Sequence, residues 1–380
     1  MDDKNMIKKV DTYKSGPFVF SLNYDRKKLQ GLIIKAKILY TTVADIPILP
    51  DLASKLEEDL IKKSIFGTAG IEGNPLSQET VNKILTQEEM KGKIEKAEKQ
   101  IRNLKVAYQL IKITKPSGAP LILKEDLIKN LHGIITKDCE GPENIPGQYR
   151  NRPVKVGDEE HGGVYTPPKI LDDIKNLMIS FIDWINSPQI LDEEAIIRTC
   201  LAHYYLALIH PFDNGNGRTA RAVEAILLKS AGIKFAPHMM SNFYYKNIDG
   251  YFRAFSLSER NDTYDITPFI EFFLKGLASA LEEIKSRIFG WIREFTIRDY
   301  YAYLRKNKKI TQKQSNLLNL LLEFRVEFSL KDLFEKEKFR VIYRNTSERT
   351  ARRDLKLLEA KKLIKSVKTG IFILNFNALE

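Results

Sequence analysis

The sequence of 380 residues predicts a mostly α-helical protein with two small β-hairpins. Apolar residues recur at helical spacing through most of the chain. Alternating apolar and polar residues, which indicate strands, are clearest in residues 147–168 and 364–374. The prolines support this division, because five of the 15 fall in residues 141–168 and none follows Pro268.

The composition is that of an ordinary folded protein without membrane spans. Hydrophobic residues make up 43% of the chain and charged residues 29%. No run of 18 apolar residues occurs, and the first residues lack the layout of a signal peptide. The two cysteines, Cys139 and Cys200, are expected to be reduced thiols. These features predict a cytoplasmic protein that does not enter a membrane.

The length predicts two or three domains, because one hydrophobic core rarely serves so long a chain. We divide the sequence into an N-terminal helical segment (1–110), a central helical domain (111–285) and a C-terminal domain (286–380). The net charge of +12 is uneven, since residues 301–380 carry 19 basic and 9 acidic residues, an excess of ten. A nucleic-acid partner is therefore to be sought at the C-terminal end.

The N-terminal segment has an unusual acidic residue at the end of a helix. An amphipathic helix starts at Asp51 and stops at Gly73, which is followed by Asn74 and Pro75. Glu72 falls in the last turn, where the helix dipole disfavours a carboxylate. The glutamate is therefore either solvated or paired with a cation. An extended piece is predicted at 17–20, and further helices at 26–39, 77–84, 88–102, 121–135, 171–184, 193–209 and 269–306.

The stretch from His210 to Arg221 combines groups suited to phosphate chemistry. The apolar helix before it should end ahead of Pro211, which leaves His210 at a helix end. Gly215 and Gly217 then open the next helix, and the free N–H groups of a helix N-terminus bind anions. Arg218 and Arg221 are three residues apart, so both guanidinium groups can reach the same phosphate. A base, an anion site and two cations together favour phosphoryl or nucleotidyl transfer.

This stretch resembles the signature HxFx(D/E)GNGRxxR of the Fic (filamentation induced by cAMP) family. The resemblance implies a Fic helical core that transfers AMP from ATP to a Ser, Thr or Tyr hydroxyl of a target protein, with Mg²⁺. It makes His210 the general base and places Phe212 in the core. Asn214, in the metal position, stands where the family usually has Asp or Glu. The residues implied to bind the nucleotide are Asn214, Gly215, Asn216, Gly217, Arg218 and Arg221.

Two further segments resemble regulatory and substrate-binding parts of the same family. Thr68, Glu72 and Gly73 match the inhibitory pattern (S/T)xxxE(G/N), which implies that Glu72 pairs with Arg221 and blocks the γ-phosphate. Residues 147–168 resemble the Fic flap, a small β-hairpin on which a target protein would dock. The alternative is a connector loop without a binding role. An exposed hairpin edge can pair with an extended peptide, but the pattern does not require that it does. The resemblance also places Val154, Lys155, Val156, Gly157, Tyr251 and Phe252 beside the nucleotide.

The C-terminal domain resembles a winged helix-turn-helix. Helices are predicted at 314–324, 329–335 and 346–358, followed by strands at 364–367 and 371–374. The third helix resembles the recognition helix of bacterial transcription regulators, which implies DNA contacts by Arg349, Thr350, Arg352 and Arg353. The alternative is that this domain is a protein-interaction or dimerisation module. The sequence does not decide whether the protein forms a homodimer.

Two other functions fit the same residues. A de-AMPylase would use the same pocket, with Glu72 activating water. A nucleotide-sensing, DNA-binding regulator would use the central domain only to bind nucleotide. His203, seven residues before His210, is interpreted as a packed or hydrogen-bonded core histidine.

Overall fold

The computed structural model describes residues 7–86, 95–157, 159–160 and 163–378. The chain folds into two compact units, residues 1–285 and 286–380, and each is described by itself. The predicted segments 1–110 and 111–285 both lie within the first unit. Among the described residues, no helix is both long and apolar enough to span a membrane.

The first unit is helical, as the sequence predicts, apart from one N-terminal hairpin. Strands β1 (Ile7–Val10) and β2 (Phe18–Ser21) pair antiparallel. The helices described there are α1 (Arg26–Asp45), α2 (Pro50–Ile71), α3 (Gln78–Thr86), α4 (Lys96–Ile113), α5 (Glu125–Thr136), α6 (Leu171–Ile185), α7 (Pro188–Leu191), α8 (Ala195–Ile209), α9 (Asn216–Ser230), α10 (Met240–Lys246), α11 (Ile248–Glu259) and α12 (Thr267–Lys306), which continues into the second unit.

Most predicted helices are present, with ends that follow from local sequence. The helix predicted at 26–39 runs on to Asp45, because the first residue restricted by a following proline is Ile46. The helix predicted at 88–102 falls partly outside the described residues, and its described part belongs to α4. The single helix α12 covers the predicted helical region 269–306.

Helices α8 and α9 pack against each other at the centre of the first unit. Twelve of the 15 residues of α8 and 13 of the 15 residues of α9 are buried, so both helices are covered on nearly all sides. Helix α6 packs on α8, while α4 and α5 pack on α9. The loop between α8 and α9, residues 210–215, is therefore held by the most buried part of the unit.

Helix α2 approaches α10 closely through two glycines. A Cβ atom at Gly67 would lie 2.8 Å from the carbonyl oxygen of Ser241, and one at Gly70 would lie 2.5 Å from the Tyr245 ring. Any side chain at position 67 would therefore push the helices apart, because the obstacle there is backbone. This close fit fixes the C-terminal end of α2, which carries Glu72.

In its described residues, the hairpin predicted at 147–168 has one antiparallel bridge, between Val156 and Tyr165. The two residues exchange backbone hydrogen bonds of 2.9 and 2.7 Å. The pairing extends no further among the described residues, because Pro153, Pro167 and Pro168 remove backbone donors on both sides of the bridge. Residues 158, 161 and 162 of the predicted hairpin lie outside the described residues.

The second unit begins within α12 and has the order of elements predicted for the C-terminal end. After α12 come α13 (Gln312–Phe324), β3 (Phe328–Ser329), α14 (Asp332–Glu335), α15 (Glu337–Tyr343), α16 (Glu348–Ala360), β4 (Ile364–Lys368) and β5 (Ile371–Leu374). The sequence does not predict α15 or β3. The three strands form an antiparallel sheet in the order β3-β5-β4.

Local capping and a separate core stabilise the second unit. Thr311 and Gln314 form a reciprocal capping box at the start of α13, and the Ser347 side chain caps α16. Tyr301 of α12 and Leu318 of α13 are fully buried in a hydrophobic cluster that also includes Phe328 of β3. The unit therefore has the interior of an independent domain.

Candidate functional site

A cavity of about 370 Å³ lies where α8 ends and α9 begins. Its walls come from the loop between these helices, the end of α2, the Val156–Tyr165 bridge and α11. The sequence-predicted residues that line it are Glu72, Val156, Gly157, His210, Asn214, Gly215, Asn216, Gly217, Arg221, Tyr251 and Phe252. Val154, Lys155, Thr68, Gly73 and Arg218 are not among the lining residues.

His210 is held in a state that can accept a proton. It follows the last residue of α8 in a left-handed conformation, with φ of +48°. Its Nδ1 lies 3.2 Å from the carbonyl oxygen of Ala207, and because a carbonyl only accepts, Nδ1 carries the proton. Burial lowers the pKa of His210 to about 4. The imidazole is therefore neutral near pH 7, with its lone pair on Nε2.

The Glu72 carboxylate lies beside the first turn of α9. Gly215 has φ of +77° and precedes the helix, and no side chain caps this helix end. The Oε1 atom of Glu72 lies directly against Gly217, where any Cβ atom would collide with it. The carboxylate thus sits where the helix N-terminus favours a negative charge. The Asn216 side chain is turned away, since it bonds both backbone groups of Phe212.

Glu72 is paired with Arg221. The guanidinium Nη2 donates to Glu72 Oε1 at 2.7 Å, and Nε donates to the Thr68 hydroxyl at 2.8 Å. Burial alone would raise the pKa of Glu72, but the charges of Arg221 and Arg218 lower it below its ordinary value. The carboxylate is therefore ionised at neutral pH. Gly73, with φ of +81°, lets the chain turn away directly after it.

Arg218 pairs mainly with another carboxylate and lies farther from Glu72 than Arg221 does. Its Nη2 binds Glu140 at 2.7 Å, and the two side chains are only 4% and 5% exposed. Its Nε lies 3.9 Å from the nearer Glu72 oxygen. In the described part of the chain, no acceptor reaches Nε or Nη1 of Arg218. The sequence does not predict the pairing of Glu140 with Arg218, because Glu140 lies outside the helices and 78 positions before Arg218.

The residues in the predicted metal position offer few ligands. Asn214 lines the cavity, but its backbone N–H donates to Asn144 at 3.1 Å. The carboxylate of Asp213 accepts a hydrogen bond from Arg152. No group of three or more His, Cys, Asp or Glu side chains placed to hold a metal occurs within the described ranges. Asp213 and Asn214 thus supply one carboxylate and one amide at the predicted metal position.

Two buried residues that the sequence did not single out brace the loop between α8 and α9. The His132 ring stacks on Phe212 with centroids 3.7 Å apart. It accepts from the Gly147 N–H at Nδ1 and donates from Nε2 to the Asn214 carbonyl, each at 2.9 Å. Burial lowers the pKa of His132 to about 4, so the ring is neutral. Arg150, which is 1% exposed, donates from Nε to the His210 carbonyl at 2.8 Å.

The predicted DNA-contacting residues of the second unit lie on α16. Arg349, Arg352 and Arg353 are exposed, and Thr350 is partly buried. All four line one concave surface together with Lys356, Gly370 and Phe372. Arg352 is paired with Glu348 at 2.5 Å.

Comparison with known proteins identifies the central part of the chain. Residues 122–228 match the Fic/DOC family. The protein adenylyltransferase Fic of Aedes aegypti is 30% identical over 209 residues, which cover 55% of this chain and 39% of that protein. The protein adenylyltransferase fic-1 of Caenorhabditis elegans is 27% identical over 169 residues, or 44% of this chain and 32% of that one. The chain thus spans less than half the length of these curated relatives.

Solved structures show the same fold. A Fic family protein from Desulfovibrio desulfuricans G20 superimposes with a TM-score of 0.55 at 20% identity, covering 91% of this chain and 95% of that one. A Fic domain containing signaling protein from Bacteroides thetaiotaomicron VPI-5482 gives a TM-score of 0.51 at 20% identity, covering 68% and 97% of the two chains.

Proposed function

We propose that this chain, whose residues 122–228 form a Fic domain, transfers AMP from ATP to a hydroxyl group of a target protein and is inhibited by its own Glu72. The observation that carries the proposal is the Glu72 carboxylate, which is paired with Arg221 beside the first turn of α9 and within the same cavity as His210. The curated relatives at about 30% identity, named protein adenylyltransferase, support this activity.

The geometry suggests how the reaction proceeds. The phosphates of ATP take the place of the Glu72 carboxylate at the α9 N-terminus, beside Arg221. His210 Nε2 accepts the proton of the target hydroxyl, whose oxygen attacks the α-phosphorus. The bond between that phosphorus and the oxygen leading to the β-phosphate breaks, and pyrophosphate leaves. The target then carries AMP through a new phosphodiester bond.

Mg²⁺ fits this site only as an ion bound largely by the substrate. Mg²⁺ in phosphate-transfer sites usually has one or two carboxylate ligands and takes the rest from phosphates and water. Asn214 and the carboxylate of Asp213, which both line the cavity, would supply the protein ligands. When bound, the ion neutralises charge on the phosphates. Mg²⁺ is therefore expected to act with ATP rather than as a resident ion.

The position of the transferred label tests the reaction type. The Glu72→Gly protein, incubated with Mg²⁺ and ATP labelled at the α-phosphorus, should incorporate label into protein. ATP labelled at the γ-phosphorus should give none, and EDTA should abolish incorporation. Transfer of the γ-label would assign a kinase instead, and an unchanged signal in EDTA would remove Mg²⁺ from the proposal.

The target protein is proposed to dock on residues 147–168. The Val156–Tyr165 bridge borders the cavity, so a peptide paired with this edge would lie beside His210. Exchange of the backbone N–H groups at 163–166 should slow when a substrate peptide binds. Unchanged exchange during turnover would show that the target docks elsewhere.

The second unit is proposed to bind DNA. The concave surface on α16 gathers Arg349, Arg352, Arg353 and Lys356, and positive charge on one face attracts the phosphate backbone. A helix followed by a β-hairpin is also the arrangement in which a helix enters the major groove. This proposal is independent of the transfer reaction.

Salt-dependent binding tests the DNA proposal. With a duplex of about 30 base pairs, the double variant Arg349→Ala/Arg353→Ala should bind at least about tenfold more weakly and show a shallower salt dependence. The matched control is Lys361→Ala/Lys362→Ala, which removes two exposed charges outside the concave surface. Equal losses in the two variants would indicate general charge attraction and no defined site.

A further inference from the structure

A chain of four buried side chains leads from the helical core to Arg221. Glu224 of α9 binds Nδ1 of His203 on α8, and His203 Nε2 lies 2.8 Å from the Tyr251 hydroxyl on α11. The Tyr251 hydroxyl in turn bonds the Arg221 guanidinium. These side chains belong to residues that are 0% to 3% exposed. Water therefore does not compete for any of their contacts.

The donors and acceptors along this chain run in one direction. Glu224 accepts at Oε2, so His203 Nδ1 carries a proton. The Arg221 guanidinium only donates, so the Tyr251 oxygen accepts from it and the Tyr251 proton is directed to His203 Nε2, 2.8 Å away. The Tyr251 oxygen then has its lone pairs free for the Arg221 N–H groups. The buried carboxylate thus determines the orientation of a hydroxyl in the wall of the cavity.

Arg221 has two sets of partners, one from the inhibitory segment and one from α11. Thr68 and Glu72 come from α2, whereas Tyr251 comes from α11 and is held by His203. If ATP replaces Glu72, the strongest contact from α2 is lost. The contact with Tyr251 does not depend on the inhibitory residue.

We infer that Glu224 and His203 are positioning residues of the phosphate site: they hold the Tyr251 hydroxyl, which orients Arg221 toward the γ-phosphate once Glu72 has left. The inference rests on the proposed function, since it takes ATP as the ligand. It assigns a role in substrate binding to a histidine that the sequence marks only as a core residue.

Tyr244 supplies a matched control for Tyr251. Its hydroxyl donates to the same Glu224 oxygen at 2.7 Å, and the residue is 0% exposed. The two tyrosine rings stack with centroids 4.7 Å apart. Tyr244 does not line the cavity. Phenylalanine at either position therefore removes one buried hydroxyl from the same cluster, but only at position 251 does it remove a partner of Arg221.

The test measures ATP binding by calorimetry in the Glu72→Gly protein with Mg²⁺. Tyr251→Phe and Glu224→Leu should each raise Kd about tenfold, as expected for a lost hydrogen bond to a charged group. Tyr244→Phe should change Kd by less than about twofold. Glu224→Gln should largely restore binding, because its amide oxygen still accepts from His203 and Tyr244. The double variant Tyr251→Phe/Glu224→Leu should bind no more weakly than either single variant.

Several outcomes would overturn the inference. Equal losses for Tyr251→Phe and Tyr244→Phe would mean that any buried hydroxyl matters equally, and additive losses in the double variant would mean that Glu224 acts by another route. If Glu224→Leu does not fold, as judged by its thermal transition, the comparison of Tyr251→Phe with Tyr244→Phe tests the inference by itself. A Glu72→Gly protein that binds no ATP would instead contradict the proposed function, and the inference would fall with it.

Discussion

Replacement of Glu72 by glycine is expected to raise ATP affinity by about tenfold to a hundredfold and to switch on AMP transfer. The carboxylate lies 2.7 Å from Arg221 and against Gly217, so it engages the cation and crowds the helix N-terminus that phosphates require. A charge-assisted hydrogen bond of this kind contributes about 1.5–3 kcal/mol, which ATP must otherwise overcome. Glycine removes the carboxylate and adds no competing group.

Calorimetric titration of ATP, with and without Mg²⁺, and label incorporation measure this effect. Glu72→Gln should activate less than glycine, because its amide oxygen keeps a hydrogen bond to Arg221 without the charge. Glu58→Gln is the matched control, since Glu58 lies on the same helix and contacts only Lys112, at 3.8 Å, among its described ion pairs. Activation by both glutamine variants would mean that loosening α2 matters more than the carboxylate.

Replacement of His210 by alanine in the Glu72→Gly protein is expected to lower AMP transfer by about 10²- to 10⁴-fold, the usual contribution of a general base. ATP affinity should change by less than about threefold, because the phosphate contacts belong to Arg221 and the α9 backbone. If ATP affinity fell by the same factor as the rate of AMP transfer, His210 would instead be a nucleotide-binding residue. An unchanged rate would falsify its role as the base.

The pH dependence of the same reaction should reflect a neutral histidine. Burial lowers the pKa of His210 to about 4, and the charge of Glu72 acts in the opposite direction. Removing Glu72 therefore does not raise this pKa. His210 is neutral and able to accept a proton above pH 4, and it is protonated below that pH. The titration of His210 should therefore cause no change in kcat between about pH 6 and 8. A fall centred near pH 6.5 would show an imidazole with an ordinary pKa.

Local patterns in the sequence were sufficient for most helices and for one hairpin. Pro211 ends α8 at Ile209, and Ser347 caps α16, because each effect acts within a few residues. The hairpin predicted at 147–168 is present as one bridge among its described residues, since the prolines on both sides limit the pairing. The spacing of Arg218 and Arg221 predicted a shared anion, and the two lie 3.9 and 2.7 Å from Glu72 oxygens, but the structure also pairs Arg218 with Glu140, which the spacing does not predict. Helical spacing predicts that two side chains lie on the same side of a helix, but it does not predict which residue of another element contacts them.

The sequence by itself determined the chemistry of the loop from His210 to Arg221, because the base, the glycines and the arginines are close in the chain. The tertiary structure decided which distant groups surround them, although the resemblance of Thr68, Glu72 and Gly73 to the inhibitory pattern had implied the pairing of Glu72 with Arg221. His203 meets Glu224 across 21 positions and Tyr251 across 48, and Arg221 meets Glu72 across 149. Contacts at such separations depend on how buried helices pack, so periodicity and spacing do not specify them.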